Sequence, residues 1–209
     1  MAPNLTHQPA DELPEPLEVL QLVVSKLDEL KIPYMVGGSI ASSVYGPPRT
    51  TQDADFIIEL APNRIDALLQ AVLPEFYVDR ELIERAVAER SSFNVVHLKS
   101  SFKIDFFILR QESFHLGAFH RRQLKEIDPS SGVWAYLQSA EDTLLHKLIW
   151  YRQGGYVSEN QWRDALGILK VQEGRLDWPY LCRWARELQI AGLLERARRE
   201  AGPEKHAAL

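Results

Sequence analysis

Apolar residues recur at three- and four-residue spacing over residues 17–30, which predicts an amphipathic helix that Pro33 ends. Short apolar runs predict strands at residues 34–36, 53–60, 93–98 and 102–109, the last two as an antiparallel pair. Helices are predicted at residues 40–45, 63–73 and 81–89, and a further strand pair flanks residues 128–132 and ends at 134–137. Up to residue 138 the pattern therefore predicts an α/β (α+β) fold, a mixed sheet flanked by helices.

From residue 139 onward only helical periodicity remains, at residues 139–152, 158–171, 178–188 and 191–201. Two of these starts carry the capping-box pattern, Ser139-Ala-Glu-Asp142 and Ser158-Glu-Asn-Gln161. The first residues of the chain are Pro-rich and acidic, without apolar periodicity. The sequence therefore predicts a flexible arm at 1–15, an α/β domain at 16–138 and a helical C-terminal region at 139–209.

The composition is that of a globular protein, with 209 residues, of which 45% are hydrophobic and 25% charged. A single cysteine, Cys182, excludes an internal disulfide framework and favours the cytoplasm, and no apolar run approaches the roughly 20 residues of a membrane helix. The net charge of −5 arises within residues 1–30, so the remainder is neutral overall and gives no indication of the basic face that nucleic-acid-binding proteins usually show. Residues 115–125, HLGAFHRRQLK, fit either a contact with RNA phosphates or an exposed hairpin.

Two aspartates stand one residue apart at the head of a predicted strand, in the stretch DADFII that begins at Asp53. Alternate strand residues share a face, so Asp53 and Asp55 lie together while Ala54 and Phe56 face the other side. Two carboxylates this close repel each other. A divalent cation such as Mg²⁺, which prefers oxygen ligands, removes the conflict.

A third acid, Asp105, interrupts the apolar run FKIDFFIL of the other predicted central strand. A buried carboxylate needs a partner. That partner is either a metal shared with Asp53 and Asp55 or, as a structural ion pair, Lys103 or Arg49. Three carboxylates on adjacent strands predict two Mg²⁺ (or Mn²⁺) ions, one to activate an attacking hydroxyl and one to stabilise the leaving group.

A glycine turn, Gly37-Gly38-Ser39, joins the strand at 34–36 to the helix at 40–45. Glycine lets the backbone approach a ligand closely, and the free N–H groups at a helix start suit an anion such as a triphosphate. Ser39 also fits an N-cap of the helix, a role that is compatible with a phosphate contact.

The Gly-Gly-Ser turn, the Asp-Ala-Asp strand and Asp105 together resemble the DNA polymerase beta-like nucleotidyltransferase superfamily. The loop Arg49-Thr-Thr-Gln before Asp53 is similar to that of its small bacterial members, including abortive-infection type toxin nucleotidyltransferases and minimal antitoxin-like forms. The resemblance covers residues 34–109. It implies a nucleotidyltransferase fold and the transfer of a nucleoside monophosphate from a nucleoside triphosphate to a hydroxyl of RNA, a protein or a small molecule.

The resemblance also implies roles for individual residues. Metal binding and catalysis would fall to Asp53, Asp55 and Asp105, and nucleotide binding to Gly37, Gly38, Ser39, Arg49 and Lys147. Three simpler alternatives stay open: Arg49 in solvent, Lys147 at the polar margin of its helix, and Asp164 as a solvated or arginine-paired acid rather than a catalytic base. For the whole protein, the rival hypotheses are a non-catalytic nucleotide-binding or antitoxin-like module and a metal-dependent phosphate hydrolase.

Overall fold

The computed structural model describes residues 16–128 and 132–202, and they form a seven-stranded mixed sheet with helices around it. The strand order is β3-β4-β5-β2-β1-β7-β6. Two neighbouring pairs, β2/β5 and β1/β7, are parallel, and the other pairs are antiparallel. The strands are β1 Tyr34–Val36, β2 Asp53–Ile58, β3 Phe76–Tyr77, β4 Ser92–His97, β5 Lys103–Ile108, β6 Gln123–Asp128 and β7 Val133–Leu137. The predicted fold class is confirmed.

Nine α-helices lie within the described residues, and after β7 the described chain holds helices alone. They are α1 Pro16–Glu29, α2 Gly38–Tyr45, α3 Ile65–Val72, α4 Arg80–Glu89, α5 Ser113–His120, α6 Ala140–Gln153, α7 Glu159–Val171, α8 Trp178–Glu187 and α9 Ala191–Ala201. Across residues 16–128 and 132–202, every helix is too short or too polar to cross a membrane.

One face of the sheet carries the larger hydrophobic core. Ala54, Phe56 and Ile58 of β2 are almost fully buried, as the alternation of the strand requires. Apolar residues of α1, α3 and α4 complete this cluster. Fully burying one such large apolar side chain stabilises the fold by about 1.5–3 kcal/mol. The opposite face of β2 is therefore free to carry polar groups without loss of the core.

A second hydrophobic cluster joins α6, α7, α8 and α9, and α2 connects it to the sheet. The loop after α2 lies very close to α7, where a Cβ added to Gly167 would lie 2.5 Å from the Cδ of Pro47. This approach excludes a side chain at residue 167. The C-terminal helices are consequently held against the segment that carries the glycine turn.

The structure corrects several local predictions. Residues 115–125 are not a hairpin, because α5 occupies Ser113–His120 and β6 follows it. The Ser139 capping box is confirmed by the bond from the Asp142 backbone N–H to Ser139 Oγ at 3.2 Å, whereas Ser158 makes no side-chain cap bond. The division into domains stays a prediction, and its predicted arm at 1–15 lies outside the described residues.

Candidate active site

Three carboxylates meet on the face of the sheet opposite the larger hydrophobic core, where β2 and β5 run side by side. The two strands are parallel and pair Asp55 with Asp105 and Asp53 with Lys103. Residues paired in register share a face, so all three aspartates stand on the side opposite the buried Phe56. The structure thus brings together the three acids that the sequence placed on two strands.

Burial and neighbouring negative charge disfavour the ionised form of Asp55. Burial, followed by the charges of Asp53 and Asp105, raises the pKa of Asp55 to about 6. Lys103 Nζ lies 2.7 Å from Asp105 Oδ2. The structural pair anticipated for Asp105 is therefore present with Lys103, while Arg49 is engaged elsewhere. Both members of that pair are partly exposed, so the ion pair leaves Asp105 accessible.

The glycine turn packs directly against the middle carboxylate. Helix α2 begins at Gly38, and the Gly37 N–H donates to the backbone oxygen of Asp55 at 2.9 Å. Gly38 has a φ of +57°, and a Cβ there would overlap Asp55 Oδ2 and lie 2.6 Å from its Cγ. Glycine is required twice over, by the left-handed backbone and by the carboxylate. The turn and the aspartates therefore form one site.

Ser39 has a different role from the predicted N-cap. The helix begins one residue earlier than expected, with Gly37 at the N-cap position and no side-chain cap. The hydroxyl of Ser39 instead accepts a hydrogen bond from Arg49 Nη2 at 2.6 Å. The loop that precedes β2 is thereby tied to the glycine turn.

Asp164 on α7 connects the two predicted cationic site residues. Its carboxylate accepts from Arg49 Nε at 3.0 Å and Nη2 at 3.1 Å, and Lys147 Nζ lies 2.8 Å away. Ser42 Oγ of α2 donates to it at 3.2 Å. Arg49 is thus not a free loop arginine, and Lys147, whose side chain is 1% exposed, does not lie at a polar margin. Asp164 itself matches the arginine-paired alternative.

Burial and pairing set the charges of this group, which we call the Asp164 network (Ser39, Ser42, Arg49, Lys147 and Asp164). Burial raises the pKa of Asp164, but the hydrogen bonds from Arg49 and Lys147 outweigh it and hold the pKa below its usual value. Burial lowers the pKa of Lys147 against the opposing pull of Asp164. The Lys147 charge also favours the ionised form of Asp55. The network is electrostatically coupled to the carboxylates.

The donor set fits a hard divalent cation in its chemistry. Carboxylate oxygens are the ligands that Mg²⁺ and Mn²⁺ prefer, and mutual repulsion gives these three a reason to bind one. As the side chains stand, no three His, Cys, Asp or Glu residues in the described part of the chain are gathered into a metal-ligand group. Lys103 engages Asp105 through Oδ2, so that oxygen would have to leave Lys103 before it could bind a cation together with Asp53 and Asp55.

A cavity of about 430 Å³ lies beside Asp55 and includes Gly38 and Asp55 in its wall. The sheet face forms one side of it, and α5 and α6 contribute His115 and His146. Sequence reasoning gave these histidines no role. No local signal could have located them, because the cavity depends on how α5 folds back over the sheet.

Comparison with known proteins gives the fold but not the identity of the chain. No family model matches the sequence, and no curated protein matches it. The antibiotic-resistance factor ANT(2'')-Ia aligns with a TM-score of 0.50 at 13% identity, covering 88% of this chain and 93% of its own. An antigenic nucleotidyltransferase-like protein from Paracoccidioides brasiliensis aligns with a TM-score of 0.52 at 18% identity, covering 88% and 91%. The chain is therefore similar to nucleotidyltransferases in fold.

Proposed function

We propose that the protein is a metal-dependent nucleotidyltransferase that moves a nucleoside monophosphate from a nucleoside triphosphate to a hydroxyl group and releases pyrophosphate. The observation that carries this proposal is the placement of Gly38 against Asp55, which is paired in register with Asp105. A phosphate-binding turn and three carboxylates in one place are what such a reaction needs. The fold of ANT(2'')-Ia and the nucleotidyltransferase-like protein supports the proposal.

The residues of the chain divide the work. The backbone N–H of Gly38 and the hydroxyl of Ser39 receive the β- and γ-phosphates at the start of α2, while Gly37 holds the turn against β2 through its bond to the Asp55 backbone oxygen. Asp53 and Asp55 would hold two Mg²⁺ or Mn²⁺ ions, with Asp105 as a ligand of the one near the acceptor. When bound, the ions neutralise the charge that develops on the phosphate and lower the pKa of the acceptor hydroxyl. Asp105 then takes up the hydroxyl proton.

The two cationic side chains, Arg49 and Lys147, act at different distances from the nucleotide. Arg49, with a side chain that is 23% exposed, can reach a phosphate while it keeps one contact to Asp164. Lys147 is buried, so it contributes by its charge and by holding Asp164 in place rather than by a direct contact. Asp164 is accordingly a positioning residue.

Other expectations from the sequence stay predictions. RNA and a partner protein as acceptors, a role in a toxin–antitoxin pair, and a cytoplasmic location fall in this group. The described residues offer no feature that favours the two macromolecular acceptors.

A labelled-nucleotide experiment tests the proposal. The protein is incubated with each α-³²P nucleoside triphosphate, Mg²⁺ and candidate acceptors, beside an Asp53→Asn/Asp55→Asn double variant. We expect label on an acceptor with the wild type and none with the double variant. Free nucleoside monophosphate alone would indicate hydrolysis, and binding without turnover would indicate a nucleotide-binding module. Either outcome overturns the proposal.

Metal binding has an independent readout. Mg²⁺ or Mn²⁺ should raise the melting temperature of the wild type, and more so with a nucleoside triphosphate, because a ligand that binds only the folded state stabilises it. The double variant should stay folded and lose the response. An equal response in both proteins would place the metal elsewhere.

A further inference from the structure

We propose that the cavity beside Asp55 is the acceptor pocket, and that the acceptor is a small hydroxyl compound with an apolar or aromatic part and no positive charge. This inference rests on the proposed function and specifies its acceptor. Among the acceptors considered above, it favours a small molecule that the cavity can enclose over RNA and protein.

The position and size of the cavity favour a small acceptor. It reaches Gly38 and Asp55, so a molecule inside it can place a hydroxyl group beside Asp55, which is paired in register with Asp105. Its volume of about 430 Å³ falls within the roughly 300–1,000 Å³ typical of small-molecule sites. A ligand of this size is a compact molecule rather than a polymer.

The walls are suited to an apolar or aromatic group. Ile57 and Phe107 contribute from the sheet face, and Ile149 and Trp150 from α6. Lys147 Nζ already lies 5.7 Å from the centre of the Trp150 ring. A cationic ligand over the Trp150 ring would be repelled by the Lys147 ammonium, whereas a neutral aromatic ligand would meet no such repulsion.

The charges around the cavity disfavour a cationic ligand. Among the described residues that line it, Asp55 supplies the one carboxylate, and that carboxylate is engaged by the proposed metal site. Arg110 and Arg152 line the cavity as well. Arg152 Nη1 donates to the backbone oxygens of Leu188 at 2.7 Å and Gln189 at 3.1 Å, which fixes its guanidinium at the wall. An anionic or neutral ligand therefore fits the field better than a cation.

Two uncharged imidazoles can hydrogen-bond to hydroxyl groups. His146 Nδ1 lies 2.9 Å from the backbone oxygen of Asp142 and 2.8 Å from Gln138 Nε2. These contacts engage Nδ1 within the protein and leave the other ring nitrogen of His146 for a ligand. Burial lowers the pKa of His146 to about 4 and also lowers the pKa of His115. A neutral imidazole can accept a hydrogen bond from a hydroxyl group or donate one to it, so the pair can orient an acceptor without adding charge.

A matched series of glycosides tests the inference by calorimetry. The probes are 4-nitrophenyl β-D-glucoside, which is neutral, the corresponding glucuronide, which is anionic, and the 2-amino-2-deoxyglucoside, which is cationic. We expect the glucoside and the glucuronide to bind about tenfold or more tightly than the amino sugar. Saturating nucleoside triphosphate with Mg²⁺ should leave their binding intact, because the proposed nucleotide and acceptor sites adjoin at Gly38 and Asp55 and are filled together during transfer.

Charge-swap variants give the control. Arg110→Glu should weaken the glucuronide about tenfold and change the glucoside little. The matched variant Arg85→Glu, at an exposed arginine of α4 outside the cavity wall, should change neither. An Arg110→Glu effect no larger than that of Arg85→Glu would overturn the charge argument.

Three further results would overturn the inference: equal or tighter binding of the amino sugar, competition between the glycosides and the nucleotide, and no glycoside binding by the folded protein. Competition would mean that the cavity holds the nucleoside. The expected order of binding without any label transfer would support the pocket and would count against the proposed reaction instead. The two proposals can therefore fail separately.

Discussion

Replacing Asp164 by alanine should destabilise the protein more than its single carboxylate suggests. The change leaves the Lys147 ammonium, 1% exposed, without a carboxylate partner. Removing one partner of a buried ion pair costs about 3–5 kcal/mol, because the remaining charge is uncompensated. The Arg49 side chain is 23% exposed and can turn toward water, so the loss of its contact with Asp164 contributes little to the destabilisation. We therefore expect Asp164→Ala to lower the free energy of unfolding by about 3 kcal/mol.

The assay is urea unfolding followed by tryptophan fluorescence, with variants that isolate the cause. Lys147→Met leaves Asp164 bonded to Arg49 through two nitrogens, so it should cost less than about 1.5 kcal/mol. The double variant Asp164→Ala/Lys147→Met should recover more than half of the loss from Asp164→Ala alone. Asp66→Ala, which removes the exposed partner of Arg80, should leave stability unchanged. If Asp164→Ala proves as harmless as Asp66→Ala, the buried-charge reasoning is refuted.

Two further predictions concern the glycine turn and the cavity. Gly38→Ala should lower the free energy of unfolding by about 1–2 kcal/mol through its left-handed φ and should abolish the Mg²⁺ response by displacing Asp55, as a metal titration would show. Gly117→Ala, where a Cβ meets nothing within 4 Å, is the control and should do neither. His146, with a folded pKa of about 4 and an unfolded value near 6.5, should make stability fall by about 3 kcal/mol as the pH drops from 6.5 to 4, because only the unfolded chain takes up the proton. In His146→Gln the free energy of unfolding should depend less on pH across that range. An equal pH dependence in the variant and the wild type, measured by urea unfolding at each pH, would contradict the assignment.

Periodicity correctly predicted those helices and strands in which burial of alternate or every third and fourth residue fixes the local structure. The β2 pattern is an example, since Phe56 and Ile58 had to face a core whichever elements supplied it. The short strand β3, at Phe76–Tyr77, and helix α5 were missed. Their sequences carry no periodicity of their own, and they form through contact with the rest of the sheet and with α6.

The candidate site was predictable where it depended on strand alternation and order. That rule placed Asp53, Asp55 and Asp105 on adjacent strands, and the register of β2 and β5 agrees with it. The Asp164 network was not predictable. It joins residues 115 positions apart, from Arg49 to Asp164, and only the packing of α7 against α2 brings them together.

The most direct test of the central claim is the turnover of Asp105→Asn, measured with the melting temperature on one preparation. The Lys103–Asp105 pair is partly exposed, with side chains 43% and 21% exposed, so its loss should cost at most about 1 kcal/mol, or about 2–4 °C. Label transfer should fall by at least about a hundredfold, while nucleotide and metal still bind through Asp53 and Asp55. A folded Asp105→Asn protein that transfers label at the wild-type rate would contradict the account.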